Sequence, residues 1–346
     1  MNMREEFRLA LLLAIAVSVA AATAMAGRPD KSGTSAGSEL LIPVGARNTA
    51  MAGAATATAS GVEAIYWNPA GLPRTNRSTE AMFSHMEYFA DIGVEYFAVA
   101  TSFEGFGSIG ISLKTLSFGD LEITTATAPD GTGQFYSPTY VTAGFTYGLL
   151  LTDRISVGIT VNLVTERIDR VQASAVAFDF GVQYSDFANV GGLTIAVAAR
   201  NIGSSMQFTG SGLLIDANST DLRRPASFYQ IQAQEDELPS VIELGLAYTT
   251  AIADQNTLVF SGVFQNNNLS EDEYKLGVEY NYNDLFFVRG GYTFSHNYIE
   301  DAYPYGLAAG AGIKYAFGGI EVGVDYAYRA MQFFGGNHTI ALRLGF

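Results

Sequence analysis

Residues 155–163 read ISVGITVNL, a stretch in which apolar side chains alternate with small or polar ones at every position. The same alternation returns at 174–186, 272–283 and 319–331. Because successive side chains of a β-strand point to opposite faces, each stretch predicts a strand with one apolar face. The runs last about ten residues, the length that a tilted strand needs to cross a bilayer, whereas strands of soluble sheets average about five or six.

About fourteen such stretches follow one another towards the end of the chain. Their predicted spans are 79–89, 92–103, 106–116, 139–151, 155–166, 174–186, 192–202, 239–251, 256–266, 272–283, 285–295, 306–317, 319–331 and 338–346. Short turns alternate with connections that are mostly longer, notably 117–138, 203–238, 296–305 and 332–337. A water-soluble sandwich would show the same alternation of side chains, but it has no reason to segregate its loop lengths. The pattern predicts an all-β fold, a transmembrane antiparallel β-barrel of about 14 strands over residues 79–346.

The composition agrees with a membrane barrel. Hydrophobic residues make up 48% of the chain and charged residues 15%, whereas soluble domains carry about 25% charge. The net charge of −15 argues against nucleic acid as a partner, because phosphate binding needs clustered Lys and Arg. The chain has no cysteine, which excludes disulfides, thiol chemistry and a lipoprotein anchor.

The N-terminus resembles a secretory signal peptide over residues 1–26. An apolar run, Leu9–Ala22, precedes the small-x-small pattern Ala24-Met25-Ala26, and cleavage after Ala26 would leave Gly27 first. The alternative is a transmembrane anchor, for which the run is short compared with the ~20 residues of a spanning helix. We therefore expect export to the outer membrane, with outer-membrane lipid and lipopolysaccharide as surroundings.

The last strand carries a second export feature. Ile340, Leu342, Leu344 and Phe346 share one face, and Phe346 is the final residue. A terminal aromatic on an alternating strand resembles the signal that the barrel assembly machinery reads during biogenesis. The alternative is a soluble edge strand that happens to finish with Phe.

Residues 27–78 lack period-two alternation and are rich in Ala, Gly, Ser and Thr. Fourteen strands enclose a lumen wider than side chains alone fill, since about eight strands suffice for a filled interior. We predict that this segment folds back as a plug. A small periplasmic cap is the alternative.

Residues 45–54 read GARNTAMAGA, and residues 61–72 read GVEAIYWNPAGL. These stretches resemble the N-terminal region of the PorV/PorQ family and, more distantly, of the FadL family, in which glycine usually stands at the position of Ala52. The candidate structural or gating residues are Gly45, Arg47, Gly53, Glu63, Trp67, Asn68, Pro69, Ala70 and Gly71.

The Asn68–Gly71 motif predicts a rigid turn against the barrel wall, independently of the resemblance. Pro69 fixes its own φ and pushes Asn68 to an extended conformation, and Gly71 permits a positive φ. A structural turn and a direct ligand contact both remain open. Arg47 and Glu63 are candidates to pair with lumen charges, and Trp67 is expected to pack against the turn.

Alternation also predicts which charged side chains point into the lumen, since Arg or Lys on the lipid face costs about 2–4 kcal/mol at midplane. They are Lys114, Asp179, Arg200, Glu243, Lys275, Glu279, Arg289, Lys314, Asp325, Arg329 and Arg343. Structural pairing across strands or with the plug is one interpretation, and a selective permeation site is the other.

Catalysis is not indicated. His85, His296 and His338 are scattered, and no Ser/His/Asp cluster can be placed. The glycine-rich stretches 105–110 and 306–312 lack the strand-to-helix context of a phosphate loop. We predict no enzyme activity, no cofactor and no metal site.

Three functions remain. The PorV/PorQ resemblance implies hand-over of exported protein in type IX secretion, with loops 117–138 and 203–238 contacting cargo. The FadL resemblance implies uptake of hydrophobic small molecules such as fatty acids, with a strand kink at Gly107 and Gly110 opening a lateral exit. A general porin would conduct ions, and the plug segment argues against it.

Overall fold

The computed structural model describes residues 31–217, 227–295 and 305–346. The predicted signal peptide at 1–26, Gly27 and His296 lie outside the described residues. Fourteen antiparallel strands close into one barrel, so the predicted fold class and strand number are confirmed. The strands are β1 Thr79–Glu87, β2 Gly93–Phe103, β3 Gly107–Ser117, β4 Thr139–Leu150, β5 Ile155–Ile168, β6 Val171–Tyr184, β7 Leu193–Gly203, β8 Val241–Ala253, β9 Asn256–Asn267, β10 Glu273–Tyr282, β11 Phe286–Phe294, β12 Tyr305–Phe317, β13 Ile320–Met331 and β14 Asn337–Gly345.

The barrel closes where β14 pairs with β1, from Glu80 opposite Gly345 to Glu87 opposite His338. Phe346 extends this pairing, because its N–H donates to the Thr79 carbonyl at 2.8 Å and its carbonyl accepts from the Ser78 N–H at 3.0 Å. The last residue thus belongs to the seam. Its role as an assembly signal stays a prediction.

The two ends of the barrel differ. At the short-turn end, strands are joined by tight connections such as 104–106, 254–255 and 318–319. At the long-loop end, the connections 118–138 and 204–240 carry small two-stranded hairpins of their own. One connection at that end is shorter than predicted. Asp169 and Arg170 alone join β5 to β6, because Ile168 pairs with Val171 and both strands continue past their predicted ends.

The outer face of the barrel is apolar. Phe83, Phe97, Ile111, Leu163 and Val288 all lie exposed on it, and most of their inward neighbours are small, polar or charged. This is the alternation that lipid on one side and a polar lumen on the other require. Among the residues that the structure describes, no helix is both long and apolar enough to span a membrane.

Residues 31–78, here called the plug, run through the lumen. Their short elements are the 3₁₀ turns Ser38–Leu41, Gly61–Glu63 and Pro69–Gly71 and the helices α1 Ala46–Ala50 and α2 Ala64–Trp67. Helix α1 contacts β11 to β14, and the Pro69–Gly71 turn contacts β4 to β6 on the opposite wall. The plug enters beside the long-loop end and leaves at the short-turn end, where Ser78 leads into β1.

Candidate functional site

Three glycines form a groove in one wall. Gly148, Gly158 and Gly181 are direct cross-strand neighbours on β4, β5 and β6. We call them the glycine row. A β-carbon on Gly158 would collide with the Pro69 carbonyl, and one on Gly181 would collide with the Asn68 side chain. The row therefore lets the backbone of the Asn68–Gly71 turn lie directly against the wall.

Asn68 builds this turn and is fully buried. Its backbone is extended, with φ −163°, as the following proline requires. Its side-chain oxygen accepts from the Ala70 N–H at 3.1 Å, and its amide donates to the Thr56 carbonyl at 2.8 Å. Both polar ends of the amide form hydrogen bonds within the plug, so the contacts of Asn68 are those of a structural residue.

Gly71 departs from the expectation. It lies in a 3₁₀ turn outside the positive-φ region, so the predicted positive φ is wrong. Glycine is needed there because a β-carbon would collide with the Ala59 carbonyl and crowd Ala64. Its role is close approach of two backbone segments rather than an unusual dihedral angle.

The opposite wall holds the plug through charges, which form a closed group that we call the six-charge ring. Its members are Arg47, Glu63, Glu279, Arg289, Asp325 and Arg343. Three arginines balance three carboxylates. Two members come from the plug and four from β10, β11, β13 and β14.

Arg47 is the main link between plug and wall in this ring. Its guanidinium donates to both oxygens of Glu279, at 2.9 and 3.1 Å, and to Glu63 at 3.3 Å. The Glu279 carboxylate beside it holds the pKa of Arg47 well above its ordinary value. The ring then continues within the wall, where Arg289 joins Glu279 to Asp325.

A second charged contact lies beside the ring. Glu243 is fully buried and receives a hydrogen bond from Arg200 at 2.8 Å and from the Thr56 hydroxyl at 2.5 Å. Lys275 lies 4.0 Å from the same carboxylate. The Thr56 hydroxyl thus links the plug to Glu243 of β8. The backbone carbonyl of the same residue accepts the hydrogen bond from the Asn68 amide.

The long-loop end of the plug is anchored by Lys114, whose ammonium donates to the backbone carbonyls of Glu39 and Ile42. Tyr66 bridges the same stretch, because its hydroxyl lies 3.1 and 2.9 Å from the Leu40 and Ile42 carbonyls. Burial raises the pKa of Tyr66 to about 12, so it stays a neutral donor. Together these two side chains clamp residues 39–42.

Glu39 is the unusual group in this clamp. Its side chain is buried and faces the carboxylate of Glu166, which also accepts from the Gly37 N–H at 2.9 Å. Burial, followed by the charge of Glu166, raises the pKa of Glu39 to about 8. This part of the plug therefore prefers a protonated Glu39 at neutral pH.

At the short-turn end, Arg74 fastens the plug to β5 and β6. It donates to the Ser156 and Ser185 hydroxyls and to the Arg154 carbonyl, each at 2.6 Å. These acceptors are neutral, and burial lowers the pKa of Arg74. Arg77 adds an ion pair to Glu321 at 2.9 Å.

The remaining motif residues shape the plug itself. The Trp67 indole donates to the Val44 carbonyl at 3.1 Å, and its ring packs on Gly53, where a β-carbon would lie 3.2 Å away. Gly45 and Gly53 both have φ +77°. Ala52 has φ +55°, a left-handed conformation in which glycine is favoured. This explains why the families that the segment resembles usually have glycine at that position.

Strand β3 pairs with β2 without a register shift across both Gly107 and Gly110, and with β4 from Ser108 onward, across Gly110. Gly110 faces Ile65 of α2, and a β-carbon there would collide with that side chain. In this structure Gly110 therefore accommodates the plug. The kink at these two glycines stays a prediction about movement.

Two cavities lie between plug and wall. The smaller one, about 30 Å³, is lined by polar groups that include Lys114, Asn162 and Asp179. The larger one, about 240 Å³, lies at the long-loop end between residues 41–43 and strands β9, β10, β12 and β13. Within the described part of the chain, no three His, Asp or Glu side chains are grouped to hold a metal ion.

Side-chain alternation predicted most of the inward charges, but the sequence missed several contacts of the plug. Nine of the eleven charges predicted to point inward are buried, and Lys314 and Arg343 are partly exposed. Glu39 and Arg74 lie in irregular segments without a period, so alternation could not place them. The glycine row had a signal, because Gly158 and Gly181 occupy inward positions of their strands, but the cross-strand register that aligns them appears only in the fold.

Comparisons with known proteins agree on the class of barrel. A family model described as "Type IX secretion system protein PorV" matches residues 26–266, more than half of the chain. No curated protein matches the sequence. The structure is similar to the CymD monoaromatic hydrocarbon channel, with 12% identity and a TM-score of 0.56 over 88% of this chain and 97% of that one.

The structure is also similar to the toluene transporter TodX of Pseudomonas putida, with 11% identity and a TM-score of 0.51 over 92% of this chain and 97% of that one. At such low identity the likeness supports the fold alone. Fold and family are those of a secretion or transport barrel of the outer membrane and not of an enzyme family.

Proposed function

The chain belongs to the PorV family of type IX secretion system proteins, and from this membership we propose that it takes part in the passage or hand-over of exported proteins at the outer membrane. It is exported by a signal peptide that is cleaved after Ala26, inserted by the barrel assembly machinery, and works without catalysis. Cargo meets the barrel at its long-loop end rather than inside its lumen.

The observation that carries this proposal is an apolar hairpin in the loop 204–240. Its two strands, Leu214–Ala217 and Ser227–Gln230, stand clear of the barrel wall, which pairs none of their residues. Leu214, Ile215, Phe228 and Tyr229 are all exposed, Phe228 to 76%. Contiguous apolar side chains on a loop outside the lipid-facing strands mark a surface for a protein partner.

The hairpin also offers backbone groups. A two-stranded sheet has two unpaired edges, and an extended segment of a partner can add a strand to such an edge. The base of the same loop is fixed, because Met206 and Leu238 are buried with Leu40 of the plug. The hairpin is therefore presented from a rigid support.

The second candidate is a FadL-like channel for hydrophobic small molecules. The overall likeness to CymD, a monoaromatic hydrocarbon channel, favours it. Two observations weigh against it: charged side chains line both cavities described above, and β3 pairs with both neighbours from Ser108 onward. Uptake would need the plug to move. A general porin is disfavoured more strongly, because the plug crosses the lumen from end to end.

The test replaces Ile215 and Phe228 together by Ser in the bacterium that makes the protein. We expect exported proteins to accumulate in the periplasm and to fall at the cell surface, because one large apolar side chain is removed from each face of the hairpin while the barrel is untouched. Phe333→Ser, an exposed phenylalanine on another loop, is the matched control. Normal export by the double variant would contradict the proposal.

A companion measurement separates the candidates. Native mass spectrometry of the barrel, extracted gently from its own membrane, would retain a protein partner if the hand-over role holds. A retained apolar molecule of a few hundred daltons would favour the channel, and measurable ion conductance in a planar bilayer would favour the porin.

A further inference from the structure

The larger cavity, of about 240 Å³, has a wall whose charges do not balance. Among the described residues, three cations, Arg200, Lys275 and Arg329, line it, together with one acidic side chain, Glu273. This excess of positive charge is notable in a chain whose net charge is −15. Charges in a narrow space with poorly polarisable walls act more strongly on a ligand than charges on an open surface.

Two of the three cations have carboxylate partners nearby. Arg200 donates to Glu243 at 2.8 Å. The Lys275 ammonium lies 3.4 Å from Glu273 and 4.0 Å from Glu243, and it donates to the side-chain carbonyl of Gln265. These groups largely neutralise one another and form one side of the cavity.

Arg329 differs from them. It is only 9% exposed, yet within the described residues no carboxylate lies at ion-pair distance from its guanidinium. Its guanidinium stacks on the ring of Tyr305, with the guanidinium carbon 3.6 Å from the ring centroid. A buried cation that lacks a counter-charge is costly, so it points to an anion that binds there.

One neighbour of Arg329 has unused hydrogen-bonding capacity. Asn337 is its cross-strand partner, and neither atom of the buried Asn337 amide has a hydrogen-bond partner in the described structure. The hydroxyl groups of Tyr88 and Tyr305, which both line the cavity, lie 2.9 Å apart. A donor-rich pocket of this kind suits the several lone pairs of a carboxylate or phosphate group.

We propose that this cavity is a binding site for a small organic oxyanion, a carboxylate or phosphate of up to about ten non-hydrogen atoms, judged from the ~30 Å³ that one water molecule occupies. Arg329 binds the anionic group. The aromatic side chains Trp67, Tyr88 and Tyr305 line the space for the rest of the molecule. The site lies at the long-loop end, beside the plug, and it is independent of the apolar hairpin and of the export role.

The test uses purified full-length barrel in detergent and isothermal titration with three probes: sodium benzoate, the neutral isostere benzamide, and sodium phosphate. We expect benzoate to bind, phosphate to compete with it, and benzamide to bind at least about tenfold more weakly, because the charge-assisted hydrogen bonds are lost. Equal binding of benzoate and benzamide, or no binding of benzoate at millimolar concentration, would overturn the proposal.

Two variants localise the site. Arg329→Gln is expected to weaken benzoate by about tenfold or more, and Arg329→Lys to retain part of the binding, because it keeps the charge. Lys314→Gln removes the same charge from a lumen position outside the cavity and should leave binding unchanged. Equal losses in Arg329→Gln and Lys314→Gln would sink the assignment. If Arg329→Gln fails to fold, the comparison of benzoate with benzamide on the unmodified barrel decides alone.

Discussion

The two walls of the lumen hold the plug in different ways. The wall formed by β4, β5 and β6 offers the glycine row, and the Asn68–Gly71 turn lies against it through backbone contact. The wall formed by β10 to β14 also approaches the plug closely, at Gly277, Gly291 and Gly310, but it adds charged side chains, which Arg47 reaches across the six-charge ring. The first contact depends mainly on the absence of atoms, and the second depends on matched charges as well.

The difference teaches which changes each wall tolerates. Close backbone packing is insensitive to pH and salt, but it fails when a single methyl group is added. A balanced group of buried charges tolerates small changes of shape, but it fails when one partner is removed and a charge is left alone. The plug is thereby fixed by close backbone packing and, on one wall, by a balanced group of charges that fails for a different reason.

The largest effect is expected from breaking the ionic wall. Arg47→Met leaves Glu279 and Glu63 without their plug cation, and we expect a loss of about 3–5 kcal/mol in the free energy of unfolding. Arg47→Lys keeps the charge but not the forked donor geometry, so its loss should be smaller. Urea unfolding of the barrel in lipid vesicles measures both. Equal stability of Arg47→Met and the parent would show that the ring does not hold the plug.

Next in size is the glycine row. Gly158→Ala places a methyl group on the Pro69 carbonyl, and we expect a loss of about 1–3 kcal/mol from overpacking. Gly262→Ala is the matched control, because its new β-carbon would approach nothing closer than 3.7 Å. The same urea titrations apply. If the two variants lose equal stability, strand propensity rather than the plug explains the glycine.

These two contacts also mark the reach of sequence reasoning. Alternation placed Glu279 and Gly158 on the inward face, and the resemblance singled out Arg47 and the Asn68–Gly71 turn. Which strand faces which part of the plug could not be deduced, because it depends on the path of an irregular segment through the lumen. Arg74 and Glu39 show the same limit, since their partners are 75 or more residues away in the chain.

A pH effect is expected at the long-loop end, where neither wall mechanism operates. Glu39 has a pKa of about 8 in the folded barrel, against an ordinary value of 4.5. The folded state therefore holds a proton that the unfolded state has lost between these values, so stability falls as pH rises from about 5 through 8. Hydrogen exchange at Leu40 and Ile42 should accelerate over this range beyond the intrinsic rate. Glu39→Gln should abolish the acceleration of hydrogen exchange beyond the intrinsic rate. An unchanged pH dependence of exchange in this variant would show that Glu39 does not cause it.

The smallest effect concerns the shape of the plug between the two walls. Ala52 has a left-handed backbone, which costs a residue other than glycine about 1–2 kcal/mol, and the greater freedom of unfolded glycine offsets part of the gain. Ala52→Gly should stabilise the barrel by about 0.5 kcal/mol. Ala54→Gly, at a buried position without a positive φ, should destabilise it. Destabilisation by both would mean that φ at Ala52 carries no strain.

The central claim is that the plug stays fastened in the lumen while the long-loop end serves export. A disulfide tests it directly, because the chain has no cysteine of its own. A β-carbon on Gly245 would lie 3.4 Å from that of Ala57, close to the ~3.5–4.5 Å of natural disulfides. It would also lie 2.9 Å from the β-carbon of Thr56, so the Gly245→Cys single variant measures the effect of this crowding by itself.

The measurement is protein export by the Ala57→Cys, Gly245→Cys double variant, oxidised and then reduced, with each single variant as control. The account predicts equal export in both states, since the plug need not move. Export that stops on oxidation and returns on reduction would contradict it and would show that transport requires the plug to leave the wall.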